Sequence, residues 1–216
     1  MRKQERAAPS ANGNGPENTP SRNGLANVGE GPRCVESSKF EPPPPPLASQ
    51  DAQIGLAVAL ALAAVGIKVF PCVRSRNPKK DKKPLVNDWP GVATVDPDQI
   101  HAWWDKWPDA RVGVPTGPAT GLFVLDADVD DETGETIGQD NLLALGFDVA
   151  AHPWKQATPS GGWHCLFRWD KGCPGNTVGK VKGDVDMHGI DTRSVRGYFV
   201  VYDLDAVLAA VEALHG

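Results

Sequence analysis

The chain has 216 residues, of which 40% are hydrophobic and 7 are tryptophan, enough for one ordinary domain and a tail. Its formal net charge of -5 excludes a histone-like or broadly basic nucleic-acid coat. A DNA enzyme whose basic groups line one groove is not excluded, because contact depends on the local field.

The 4 cysteines, Cys34, Cys72, Cys165 and Cys173, form no Cys-x-x-Cys pair, so no zinc ribbon or thioredoxin motif is visible. A zinc site from Cys165, Cys173 and His164 or His188 would need irregular spacing. The polar stretch from Met1 to Asn14 lacks the apolar core of a secretory leader, which with the cysteine usage implies a cytoplasmic protein with reduced thiols. The apolar run from Ile54 to Ile67 is too short to span a membrane and reads as a buried helix.

In chain order, residues 1–48 form a tail rich in Pro, Gly and Asn that ends in Pro42 to Pro46. It cannot bury enough apolar surface to offset its ordering entropy, and it is expected to be disordered with a stiff polyproline end. Residues 49–216 are expected to form one globular domain. A first helix, capped by Ser49 or Asp51, runs through Leu56, Leu60 and Val65 to Gly66. Ile67 to Phe70 reads as a strand, and a polar loop with Lys79, Lys80, Lys82 and Lys83 follows. Asp96 at N-cap, Pro97 at N1 and Gln99 at N3 start a second helix. Its Ile100, Trp103, Trp104 and Trp107 recur at helical spacing and are expected to pack inward rather than form a base-stacking platform.

Beyond Arg111 the pattern turns to strands. Val112 to Val114 and Leu122 to Leu125 are separated by a turn at Thr116 to Gly121. A short helix spans Asn141 to Leu145, strands follow at Trp163 to Trp169 and Gly197 to Tyr202, and a last helix covers Leu204 to His215. Helices and strands are mixed without strict alternation, which indicates an α+β fold.

Three segments carry candidate chemistry. Asp126 and Asp128 end an apolar strand two positions apart, which places both on one face. Carboxylates so close repel unless a cation sits between them, and magnesium or manganese suits such oxygen ligands. The acidic run continues through Asp130, Asp131 and Glu132, so a solvated acidic turn is the competing reading. A calcium loop of the EF-hand type fails, because Asp131 and Ile137 stand where glycine and glutamate are needed.

The second segment is Thr158-Pro159-Ser160-Gly161-Gly162-Trp163-His164. Its paired glycines permit an anion-binding nest of backbone N–H groups beside His164, although such a loop alone is commonly a plain hairpin turn. The third runs from Asp184 to Tyr198. It offers a third acid, Asp186 or Asp191, and Arg193 or Arg196 to neutralise phosphate; alone it is a charged loop before a strand.

Taken in order, these segments resemble the bifunctional primase-polymerase domain of the archaeo-eukaryotic primase superfamily, of plasmid and phage type. The likeness begins at Gly66-Ile67-Lys68-Val69-Phe70-Pro71 and runs through Lys83-Pro84, Trp89, the Asp96 helix and Val112-Gly113-Val114-Pro115-Thr116-Gly117, covering roughly residues 52–202. The family's Asp-x-Asp motif falls on Asp126 and Asp128, and its Ser-Gly-Gly-x-His motif on Ser160, Gly161, Gly162 and His164. Its final acid-Arg-Gly-Tyr motif falls on Asp191, Arg193, Gly197 and Tyr198, with Asp186 as the competing acid.

The resemblance implies a template-dependent nucleotidyltransferase with an RRM-like catalytic sheet and an additional N-terminal α/β unit. Asp126, Asp128 and Asp191 would hold Mg2+ or Mn2+, while Ser160, Gly161, Gly162, His164 and Arg193 would bind the incoming NTP or dNTP. Single-stranded DNA template is the implied partner; the helical accessory region and helicase that often follow in the family either lie outside this sequence or are separate partners. The strand at Val200-Val201 lacks the family's usual Pro-Pro-Ser turn and continues as Tyr202-Asp203-Leu204. A degenerate domain that only binds DNA or nucleotide is the rival reading.

Overall fold

The computed structural model describes residues 50–77, 79–130, 132–178 and 188–216. The tail read at residues 1–48, the candidate cap Ser49 and the candidate acid Asp186 lie outside them. Helix α1 (Gln50–Ala64) begins one residue earlier than Asp51 and so contains it. Ala59 and Leu62 are fully buried, and the helix closes where the Ile67 N–H bonds back to the Leu62 carbonyl at 3.0 Å.

Helix α2 (Trp89–Val92) is a single turn that the sequence analysis did not include. Helix α3 (Pro97–Lys106) starts as expected at Asp96, whose side chain accepts from the Asp98 N–H at 3.0 Å, one position short of Gln99. Ile100, Trp103 and Trp104 are buried and face α1. They are core residues, as their helical spacing indicates, and each such side chain contributes about 1.5–3 kcal/mol by leaving water.

Strands β1 (Phe70–Cys72), β2 (Arg111–Pro115) and β7 (Tyr198–Val200) form an antiparallel sheet in the order β1-β2-β7. β1 lies further along the chain than the expected Ile67–Phe70 strand, because Val69 instead exchanges backbone hydrogen bonds with Thr94 at 2.9 and 3.1 Å. The second sheet contains β3 (Leu122–Ala127), β4 (Lys155–Ala157), β5 (Trp163–Arg168) and β6 (Ile190–Arg193), ordered β4-β5-β3-β6 and antiparallel throughout. Helix α4 (Ile137–Ala144) joins β3 to β4 and begins four residues before the expected Asn141. Helix α5 (Leu204–His215) matches expectation and is capped by Asp203, which accepts from the Ala206 N–H at 3.0 Å.

Side-chain alternation divides the second sheet into two faces. Leu122 and Val124 of β3 and Leu166 of β5 join the main core with α1, α3, α5 and the first sheet. Ala127, Cys165 and Ile190 face the other way, into a smaller core with Leu142 of α4 and Val149. The result is a mixed α+β fold with two antiparallel sheets. Among the described residues, no helix is long and apolar enough to cross a membrane.

Candidate active site

The face that carries Leu122 and Val124 also carries Asp126, one residue pair further along β3. Asp126 stands opposite His164 of β5 on one side and Asp191 of β6 on the other, while His164 stands opposite Gln156 of β4. Gln156, His164, Asp126 and Asp191 thus form one row across the sheet, with side chains on a common face. Asp128 lies just past the end of β3. Its N–H donates to the Gly189 carbonyl at 2.7 Å, and its own carbonyl accepts from the Gly138 N–H at 3.0 Å. A Cβ at Gly138 would stand 2.7 Å from the Asp128 nitrogen, so only glycine lets the start of α4 approach this closely.

This anchoring brings ligand atoms of Asp126, Asp128 and Asp191 within 4.8 Å of one another, with Asp126 and Asp191 buried. The Asp126 Oδ1 is buried without a hydrogen-bond partner, and Oδ2 lies 3.6 Å from Arg193 Nη2. Arg193 also donates to Asp191 Oδ2 at 2.9 Å. Burial, followed by the neighbouring charge of Asp128, pushes the Asp126 carboxyl up to about 7. A buried carboxylate with an unpartnered oxygen beside two more acids is a donor set that fits a hard divalent cation.

His164 is buried, and its Nε2 lies 3.6 Å from Asp126 Oδ1. Burial, with Lys82 and then Arg193 nearby, depresses its ring to about 3, so it is neutral at physiological pH. Its ring packs edge-on against Phe199 at 5.9 Å.

A cleft of about 350 Å³ opens beside this row, between the second sheet and β7. Its walls include Asp126, His164, Arg193, Arg196, Tyr198 and Lys82. Lys82, assigned in sequence only to a basic loop, has φ 66°, and Arg196 has φ 61°. Left-handed backbone at a non-glycine residue costs of order 1 kcal/mol and is held by its surroundings. For Lys82 the holders are visible: its N–H donates to the Val73 carbonyl at 2.9 Å and its carbonyl accepts from the Tyr198 hydroxyl at 3.1 Å.

The structure therefore gathers Asp126, Asp128, Asp191, His164 and Arg193. It does not bring the Ser160-Gly161-Gly162 turn to the cleft wall, nor does it leave the turn as an open anion nest. The Gly161 N–H is bonded to the Thr158 carbonyl and the Gly162 N–H to the Thr158 hydroxyl, each at 3.0 Å. With those donors satisfied inside the turn, the residues supply shape: Gly162 packs directly on Ala127 and Asp128. Cys165 and Cys173 do not join the carboxylates. Burial pushes the Cys165 thiol up to about 12, which disfavours the thiolate that zinc requires.

The profile of the bifunctional DNA primase/polymerase N-terminal domain matches residues 59–203, well over half of the chain. The chain belongs to this family. A search of curated proteins returns no match. For a primase/polymerase domain, membership implies nucleotidyl transfer with divalent metal, and contact with DNA template and nucleotides.

Sequence reasoning missed Gln156, the hydrogen-bond partner of His164, and Tyr202 on the cleft wall. Gln156 gave no signal, being a polar residue in a three-residue strand. Tyr202 was read only as the end of a strand.

Proposed function

We propose that this domain is a template-dependent DNA primase/polymerase that joins NTPs or dNTPs in plasmid or phage replication, with Asp126, Asp128 and Asp191 as its catalytic carboxylates. The observation that carries the reading is the carboxylate cluster, whose Asp126 lines a cleft together with the basic side chains of Lys82, Arg193 and Arg196. Two divalent ions, magnesium or manganese, bound by these acids would activate the primer 3′-hydroxyl and stabilise the leaving pyrophosphate.

The protein's own groups would do the rest. Arg193 and Arg196 offer guanidinium donors to phosphate oxygens from one wall, and Lys82 offers an ammonium from another. His164, neutral and buried, supplies a hydrogen-bond donor without adding net charge beside the acids. Ser160 is exposed, with its hydroxyl 3.0 Å from that of Thr158, while Gly162 keeps the turn tight against Ala127 and Asp128. The exposed Lys79, Lys80 and Lys83 suit contact with single-stranded template.

We also infer an RRM-like catalytic sheet. Supporting it are the order β4-β5-β3-β6, β5 antiparallel to both β3 and β4, and α4 on the connection between those two.

The test is incorporation of labelled nucleotide on a single-stranded template, with magnesium or manganese, with and without primer. Asp191→Asn and the double change of Asp126 and Asp128 to Ala should abolish incorporation while thermal melting remains cooperative. Wild-type extension by the double variant would remove the catalytic reading. Retained template binding without extension by the native protein would favour the accessory reading instead.

A further inference from the structure

Gln156 is 1% exposed and spends its whole amide on four partners. Its Oε1 accepts from the N–H groups of Tyr202 at 2.9 Å and Asp203 at 3.1 Å. Its Nε2 lies 2.8 Å from the Val200 carbonyl and 2.9 Å from Nδ1 of His164. Backbone N–H groups can only donate and a carbonyl can only accept, so the amide has one permissible orientation. Nε2 must therefore donate to the imidazole, and His164 Nδ1 must be the acceptor. The ring hydrogen is thereby placed on Nε2, which lies 3.6 Å from Oδ1 of Asp126, a residue that lines the cleft together with His164.

We propose that Gln156 is a positioning residue which locks His164 in its Nε2–H form, so that the ring presents a fixed donor to an anionic oxygen in the cleft. The proposal rests on the reading of that cleft as a nucleotide triphosphate site. Without Gln156 the ring could place its hydrogen on either nitrogen, and in the Nδ1–H form a lone pair would face both Asp126 and the phosphate. Gln156 also ties the end of β7 and the start of α5 to β4, so the ring and the cleft wall at Val200 to Tyr202 are held by one side chain.

The test begins with the full chain labelled with 15N-histidine, free of metal, near neutral pH. Long-range 1H–15N spectra distinguish the two ring forms, and the His164 signals are identified by their loss in His164→Gln. A single Nε2–H form is expected; an Nδ1–H form or an even mixture in the native protein overturns the proposal, whatever the variants do. Gln156→Met keeps the volume but cannot donate. It should yield a mixture of ring forms and raise KM for the incoming nucleotide about tenfold, with kcat much less affected. An unchanged ring form and KM in that variant would sink the positioning role. Addition of a non-hydrolysable deoxynucleoside triphosphate together with magnesium should then shift the native Nε2–H signal. If the analogue binds and the signal stays fixed, the donor role fails while the nucleotide cleft stands. If no analogue binds, the cleft reading itself fails.

Discussion

Replacing Asp126 with Asn should stabilise the protein in metal-free buffer at pH 8 and do almost nothing at pH 5. The carboxyl ionises near 3.8 in an ordinary setting but near 7 in its folded site. Between those values the unfolded chain has released the proton while the folded protein keeps it, so stability falls as pH rises through this window and is flat above it. Each pH unit within the window is worth about 1.4 kcal/mol, giving a cost of about 4 kcal/mol at pH 8 and under about 2 kcal/mol at pH 5. Asn removes that cost but leaves an imperfectly bonded amide in its place, a penalty of about 2 kcal/mol. The net gain is then about 2 kcal/mol at pH 8, or about 4–8 °C in melting temperature for a domain of this size, and near zero at pH 5. Thermal melts followed by circular dichroism in EDTA at both values measure it. Added magnesium should raise the native melting temperature more than the variant's. A variant that melts no higher than the native protein at pH 8, or that gains equally at both values, would refute the argument from buried charge.

Lys82→Gln should raise KM for the incoming nucleotide about tenfold, the value of one charge-assisted hydrogen bond, while leaving template affinity and its salt dependence alone. Lys79→Gln with Lys80→Gln should do the reverse, lowering the salt slope of single-strand binding by about 0.7 per charge. Gly138→Ala drives a methyl group against the backbone of Asp128, so it should destabilise by about 1–3 kcal/mol and raise the metal concentration needed for half-maximal incorporation. Thermal melts and a metal titration of activity check both effects.

Much of the fold was legible because its strongest signals are local. The cap at Asp96 and the spacing of Ile100, Trp103 and Trp104 fix α3 from neighbouring residues alone. The apolar run Leu122 to Leu125 likewise announces β3. β6 was read as a charged loop because Asp191 and Arg193 dominate its composition, yet Ile190 and Thr192 alternate with them and are buried. That alternation was the available signal. β4 has no such pattern: Gln156 is buried because of partners more than 40 residues away, which no local window contains.

The carboxylates were legible as a motif, and pairing of β3 with β6 sets Asp191 opposite Asp126. For the glycine turn, a sequence shows which residues permit a nest but not where their N–H groups point, and here those of Gly161 and Gly162 are bonded to Thr158. Lys82 was placed with its lysine neighbours by composition, whereas its cleft position follows from contacts to Val73 and Tyr198 that only the tertiary fold supplies.

The row from Gln156 to Asp191 ties strand register to survival of the fold as well as to chemistry. A slip of β3 by one residue would exchange its two faces, carrying Asp126 into the aliphatic pocket of Leu142, Cys165 and Ile190 and turning Ala127 or Leu125 toward His164. A shifted pairing would therefore lose the carboxylate from the cleft and bury its charge among apolar groups in the same step. Mispaired chains are penalised during folding by the very side chain whose placement they would spoil, so molecules that complete the sheet do so with the acids already in line.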